Sequence, residues 1–396
     1  MKYPLSCDTW NNQEVDAINR VISSSRYTMG EEVFKFEEQF ADFMGVNHAK
    51  MVNSGSSANL LMIAAAIYSP EYNLKEGDKV IVPAVSWSTT YFPLQQYGLE
   101  LVFVDVDLHT LNLCPTKTAE ALENIDGIKA ILTVNLLGNP SQIDELRDLA
   151  DSYNLLLLED NCESFGSSFN EKMMGTYGDM GTHSFFFSHH LQTMEGAMIL
   201  TNSEETAQCI DSLRAHGWLR TLPDENYIHN KTGDPFEDSF RFVLPGYSVR
   251  PLEMSGAIGQ VQLSKWPDMM KQRRENAKHF KKRFEDIAVI TQEEIGKSSW
   301  FGFSCIVPDV PGRQKFTDTL RDRGVEIRPI VAGNFLRNPV MKHIKHQVSG
   351  DMKNADIIHD LGFFLGNDSE DIKDKIDYAA DIIEEILWTY MVDGND

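Results

Sequence analysis

Two histidines stand side by side in SFFFSHHLQTMEG, residues 184–196, where an apolar run breaks at Ser188 and a second apolar run follows. Histidine is the side chain that exchanges protons near neutral pH, and it is also a common metal ligand. For His189 and His190 a zinc pair is disfavoured. Neighbours at a strand end point in different directions, and no third ligand is close in sequence. A serine triad is disfavoured as well, because no G-x-S-x-G elbow occurs. A proton carrier and a buried structural histidine both remain open.

Three other stretches carry residue types with chemical uses. In VNSGSSANLL (52–61) a strand ends at Asn53 and Ser54-Gly55-Ser56-Ser57 opens a helix. Free backbone N–H groups, the helix dipole and serine hydroxyls form an anion site there. The plain alternative is an ordinary serine cap. In LLLLEDNCESFG (155–166), Asp160 closes a buried strand, where ligands bind in open α/β sheets, and Glu163 faces the same crevice. The alternative for Asp160 is a helix cap. In VSWSTTYF (85–92), Trp87 offers a stacking face or a core aromatic. Together, with Ser184 just before the histidines, these are the groups that pyridoxal phosphate needs. A helix start binds its phosphate, an aromatic plate covers its ring, and an acid keeps the pyridine nitrogen protonated. A lysine to bond the cofactor covalently is missing.

The elements that must position these groups alternate. KVIVP (79–83), LVFVDV (101–106), AILTVNLL (130–137), LLLLED (155–160) and SFFF (184–187) read as strands covered on both faces. GSSANLLMIAAAIY (55–68) and SQIDELRDLADSY (141–153) read as helices between them. This alternation implies an α/β fold with a mostly parallel sheet flanked by helices. From about Pro251 the texture changes: a helical segment leads into a long basic helix, and a smaller α/β unit with a last helix near 369–391 follows. Residues 219–246 read as a long polar loop.

Composition narrows the partners. The 396-residue chain has a net charge of −23, which disfavours nucleic acid and anionic membranes. Cys7, Cys114, Cys162, Cys209 and Cys305 are widely spaced and form no C-x-x-C, so no disulfide scaffold, metal site or iron–sulfur cluster is expected. The start, MKYPLSCDTW, lacks a signal-peptide pattern, and no apolar run is long enough to span a bilayer, so the expected location is cytoplasmic.

Several ordered motifs together resemble a known family. GEEVFKFEEQFADFMGVNHAKMVNSGSSANL (30–60), EDNCESFG (159–166) and PGYSVRPLEMSGAIGQVQL (245–263) resemble the aminotransferases and dehydratases of nucleotide-linked keto sugars. These form a branch of fold type I, the aspartate-aminotransferase-like fold. The resemblance covers nearly the whole chain. It implies a large cofactor-binding domain, 1–262, with a seven-stranded, mostly parallel sheet, and a small C-terminal α/β domain, 263–396. By the same resemblance Ser56, Ser57 and Ser184 would bind the cofactor phosphate, Trp87 would stack on the ring, and Asp160 would pair with its nitrogen. Glu163 would sit near the ring hydroxyl, where most relatives have Gln. Ser248, usually Asn in relatives, would reach the phosphate from a second subunit. His216, Arg220, Arg250 and Arg328 would contact substrate or its diphosphate. Ala197 replaces a common Gly.

In the aminotransferase members a lysine occupies the position of His189. The histidine, with TMEG (193–196) and RPIVAGN (328–334), resembles the dehydratase branch. An iron–sulfur-dependent branch also has histidine there, but it needs clustered cysteines, which this chain lacks. The implied enzyme is a lyase that removes the 3-hydroxyl of a GDP-linked 4-keto-6-deoxy sugar of mannose configuration, a step of dideoxysugar (colitose) and O-antigen lipopolysaccharide synthesis. Pyridoxal 5'-phosphate and pyridoxamine 5'-phosphate would be held non-covalently, L-glutamate would be the amino donor, and ammonia would leave. His189 would be the base, with an ordinary pKa near 6.5 suited to neutral pH. A homodimer with shared active sites is implied. Two alternatives are a 4-aminotransferase and a non-catalytic sugar-nucleotide binder.

Overall fold

The structure, a computed structural model, describes residues 1–393. The last three residues of the expected small domain lie outside them. In chain order the elements begin with α1 (Asn12–Ser24), α2 (Glu31–Met44), β1 (His48–Val52), α3 (Gly55–Tyr68), β2 (Lys79–Pro83), α4 (Ser88–Gln96) and β3 (Glu100–Val104). Next come α5 (Pro115–Asn124), β4 (Ile128–Val134), α6 (Ile143–Tyr153), β5 (Leu156–Asp160), a short hairpin of β6 (Ser168–Phe169) and β7 (Lys172–Met173), β8 (Met180–Ser184) and β9 (Ala197–Thr201). The remainder holds α7 (Glu204–Leu213), α8 (Pro235–Asp238), α9 (Glu253–Phe284), β10 (Ile290–Thr291), β11 (Gly302–Ile306), α10 (Arg313–Asp322) and β12 (Ile327–Arg328). It closes with β13 (His346–Ser349), α11 (Lys353–Leu361), β14 (Gly362–Gly366) and α12 (Lys373–Asp393).

The large sheet runs β1-β9-β8-β5-β4-β2-β3-β13. Only β9 opposes its neighbours; every other pairing is parallel. The seven strands expected of the large domain are present, and an eighth, β13, comes from residues assigned to the small one. Leu101 to Val104 of β3 pair with His346 to Ser349 in parallel register, so the C-terminal part completes the sheet edge. A second sheet, β10-β11-β14-β12, holds its own core, in which Phe280 and Phe303 stack at 4.4 Å.

Local sequence explains the framework. Helix α3 is apolar all round and accordingly buried, with Ala58, Leu61, Met62 and Ala65 fully inside. The strands under it are runs of Val, Ile and Leu buried on both faces. Two expectations change. The SFFF run is not a strand: β8 ends at Ser184, and the three phenylalanines lie beyond it, Phe185 in the core and Phe187 exposed. The two helical segments after Pro251 form one helix, α9, with Pro267 inside it on an exposed side. The 219–246 stretch is mostly irregular, interrupted by a single turn at Leu219–Thr221 and by α8. Among the described residues no helix is long and apolar enough to cross a membrane.

Candidate active site

The site lies at the carboxyl ends of β1, β2, β4, β5 and β8, the usual ligand edge of an open α/β sheet. β1 leads straight into α3. Ser54 caps that helix, accepting from the Ser57 N–H at 3.2 Å and donating to the Ser57 hydroxyl at 3.0 Å. Ser56 lies outside that bond and donates to Thr89 Oγ1 at 3.0 Å. Gly55 brings three elements together: a Cβ placed there would lie 2.9 Å from Ser184 Cβ and 3.1 Å from Cys162 Sγ. Ser56, Ser57 and Ser184, separated by more than a hundred residues, therefore share one corner. The first-turn amides of α3 make it an anion site.

Asp160, the last residue of β5, is buried and accepts three hydrogen bonds. Asn59 Nδ2 and Thr90 Oγ1 each donate to Oδ2 at 2.8 Å, and the Cys162 N–H donates to Oδ1 at 3.1 Å. Asn59 is itself oriented by Thr182 Oγ1 at 2.7 Å. Thr90 belongs to α4, whose N-cap is Trp87, so one helix holds the acid and presents the indole, which is 58% exposed. A core role for Trp87 is thereby ruled out. Glu163 accepts from the Leu137 N–H at 3.0 Å, in the turn after β4. Burial, and secondarily the charge of Asp160, pushes its carboxyl up to about 7.

The histidine pair sits in a turn beyond β8, and the two rings diverge. His190 is buried against Trp266 and Phe301, with Nε2 at 3.3 Å from the Ser299 carbonyl. It is a structural histidine. His189 is partly buried, packs edge-on to Phe301 at 5.2 Å, and has no hydrogen-bond partner at Nδ1. Burial pulls its pKa down to about 4; the backbone of Ser184 opposes this and the nearby Arg273 adds to it. The imidazole is thus neutral well below the ordinary histidine range, a correction to the value expected from sequence. No lysine occurs between Lys172 and Lys231.

The structure forms a second group around Trp218. Its ring lies 4.5 Å from that of His216, with the Arg220 guanidinium 3.5 Å and that of Arg250 5.5 Å from its centre. His216 is held in a left-handed backbone conformation (φ 64°), and its N–H donates to the Tyr247 carbonyl at 2.7 Å. Ser248 is exposed beside this group and bridges to Ala215, and the Asn53 N–H donates to the next residue, Val249, at 3.0 Å. The cluster thus abuts the entry to α3. Arg328 stands apart, exposed on β12 of the small sheet.

Sequence reasoning missed Asn59, Thr89, Thr90, Leu137 and Phe301. A polar Asn59 in an otherwise apolar helix was a usable signal. The Leu137 amide was not, because only the fold brings it to Glu163. All five cysteines are free, and among the described residues no cluster of His, Cys, Asp or Glu could hold a metal ion.

A fold-type-I sheet with a serine-rich helix start, a buried acid and an exposed indole at its ligand edge has the outline of a vitamin-B6-dependent protein. The chain belongs to the DegT/DnrJ/EryC1/StrS aminotransferase family, whose model matches residues 8–384. It is 49% identical to the GDP-4-keto-6-deoxy-D-mannose 3-dehydratase of Escherichia coli O55:H7 over 97% of this chain and 100% of that one. It superposes with a TM-score of 0.94 on the E. coli GDP-4-keto-6-deoxy-D-mannose 3-dehydratase solved with bound hydrated PLP (49% identity; 97% of this chain, 99% of that one). The TM-score is again 0.94 against a GDP-4-keto-6-deoxymannose 3-dehydratase with a trapped PLP–glutamate geminal diamine (49% identity; 96% of this chain, 100% of that one).

Proposed function

We propose that this chain is a 3-dehydratase of GDP-4-keto-6-deoxymannose, dependent on pyridoxal and pyridoxamine 5'-phosphate, with L-glutamate as amino donor. The observation that carries the reading is His189: an otherwise complete B6 site has a titratable imidazole, and no lysine, in the turn after β8. The full-length relative that bears this activity in its name, and another seen with PLP and glutamate, supply the substrate and donor.

The residues fit the cofactor. Gly55 lets Ser184 pack directly against the start of α3, the α3 amides and Ser56, Ser57 and Ser184 suit a phosphate, and buried Asp160 suits a pyridinium. When bound, the cofactor supplies an electron sink that eases loss of a hydroxyl next to the reacting carbon. Asp160, fixed by Asn59 and Thr90, would hold the proton on the ring nitrogen. Trp87 would cover the ring. His189, a neutral imidazole, would take a proton from the reacting carbon and return it, and it cannot tether the cofactor. Arg220, Arg250 and His216 offer donors and charge for a diphosphate. With no lysine amine to reprotonate the sugar carbon, loss of the 3-hydroxyl is the easier exit.

A homodimer that shares its sites belongs to the same proposal. It is supported by Phe240 and Phe242, 70% and 58% exposed in the Trp218 group. So do a smaller C-terminal unit, supported by the separate core of the small sheet although α9 runs across residue 262, and a cytoplasmic location, supported by five unpaired thiols. Mass spectrometry of the sugar nucleotide after incubation with pyridoxal phosphate and glutamate tests the activity. A product lighter by one oxygen is expected. A product whose keto oxygen has become an amine would make the chain an aminotransferase.

A further inference from the structure

Two carboxyl groups share the cleft, and their surroundings differ. Asp160 receives three hydrogen bonds from Asn59, Thr90 and the Cys162 amide. Glu163, three residues further along the same turn, receives one, from the Leu137 amide to Oε2 at 3.0 Å. Among the described residues no lysine or arginine side chain bonds to either. Two like charges in one turn without a cation are costly, and protonating the member with fewer hydrogen-bond donors removes that cost. The titratable groups of the turn are Asp160, Cys162 and Glu163 itself. The Leu136–Gly138 turn against Glu163 brings none, nor does Ser299–Phe301 behind it. Phe301 carries His189 and His190 on its ring, and burial keeps both neutral.

We propose that Glu163 works as a neutral carboxylic acid, a hydrogen-bond donor beside the more fully bonded Asp160. This explains how a glutamate can stand where the resemblance shows glutamine: a protonated carboxyl, like an amide, offers a donor from the same reach. The carboxyl is pushed up to about 7, so the acid form persists close to neutral pH and is lost above it. The inference deepens the cofactor reading of the site and rests on it only for the identity of the acceptor.

Infrared difference spectra of the cofactor-free protein, taken between about pH 5 and about pH 9, read the protonation directly. A carboxylic-acid C=O band that disappears with a midpoint near 7 is expected, and it should be absent from Glu163→Gln. A band from buried Glu159, whose carboxyl is also raised by burial, would survive this substitution and so be told apart. Glu163→Asp, which keeps a carboxyl, should move the midpoint and serves if the Gln variant does not fold. No titrating band, or one unchanged in both variants, overturns the proposal. Because neither cofactor nor sugar is present, this result is independent of the product-mass test of the activity.

Discussion

His189 carries most of the argument, and its environment sets what it can do. Burial against Phe301 and Phe186 lowers its pKa to about 4, so the neutral form, the one able to accept a proton, is present from there upward. The sign gives a test. Activity should fall on the acid side only as pH approaches about 4, not through the ordinary histidine pKa near 6.5. A kcat/KM profile with an acid limb centred near 6.5 that disappears in His189→Asn would contradict this. The same variant should retain the cofactor, read by absorbance, and lose turnover by about 10²- to 10⁴-fold, the usual contribution of a positioned base. Near-normal turnover would remove His189 from the chemistry.

At the scale of elements, the entry to α3 is the joint on which the site depends. Gly55→Ala would place a methyl 2.9 Å from Ser184 Cβ and 3.1 Å from Cys162 Sγ, so β8 or the turn after β5 must move. Overpacking of this kind costs about 1–3 kcal/mol. Pyridoxal phosphate affinity should therefore drop roughly tenfold or more, with the helix content in circular dichroism unchanged; unaltered affinity would mean the corner does not bind the phosphate. This joint also shows what a sequence can reveal. The run GSSANLLMIAAAIY marks α3 from Gly55 to Tyr68, because serine, glycine and an all-apolar helix are local signals. Asp160 at the end of β5 is local too. The end of β8 is not: three phenylalanines continue the strand pattern, but the chain leaves the sheet at Ser184 so that Phe185 can enter the core against Phe36 and Phe40. β13 is equally hidden, since HQVS becomes a strand only through its pairing with β3. The bond from Leu137 to Glu163 and the burial of His189 depend on contacts across the fold, and so do the pKa values they set.

At the scale of the whole molecule, the exposed Phe240 and Phe242 of the Trp218 group are the features a second copy would cover. If the sites are shared, Ser248 of one protomer serves His189 of the other. Ser248→Asp, which sets a negative charge toward the phosphate, and His189→Asn should each be inactive alone. Mixed and re-equilibrated, they should recover about a quarter of wild-type activity, the share expected when half the dimers are mixed and each has one intact site. No recovery, with mixed dimers demonstrated, would confine each site to a single chain. The charge of −23 sets no obstacle to an anionic sugar nucleotide, because Arg220 and Arg250 stand together on Trp218 and make a local exception to the global field.

If a histidine in place of the lysine turns an aminotransferase scaffold toward deoxygenation, the glutamate nitrogen must leave as ammonia. We would incubate the protein with pyridoxal phosphate, nitrogen-15 glutamate and GDP-4-keto-6-deoxymannose, then measure labelled ammonia against sugar nucleotide converted. One ammonia is expected for each sugar that loses its 3-hydroxyl, with no label on the sugar. Label retained on the sugar, with no ammonia, would contradict it.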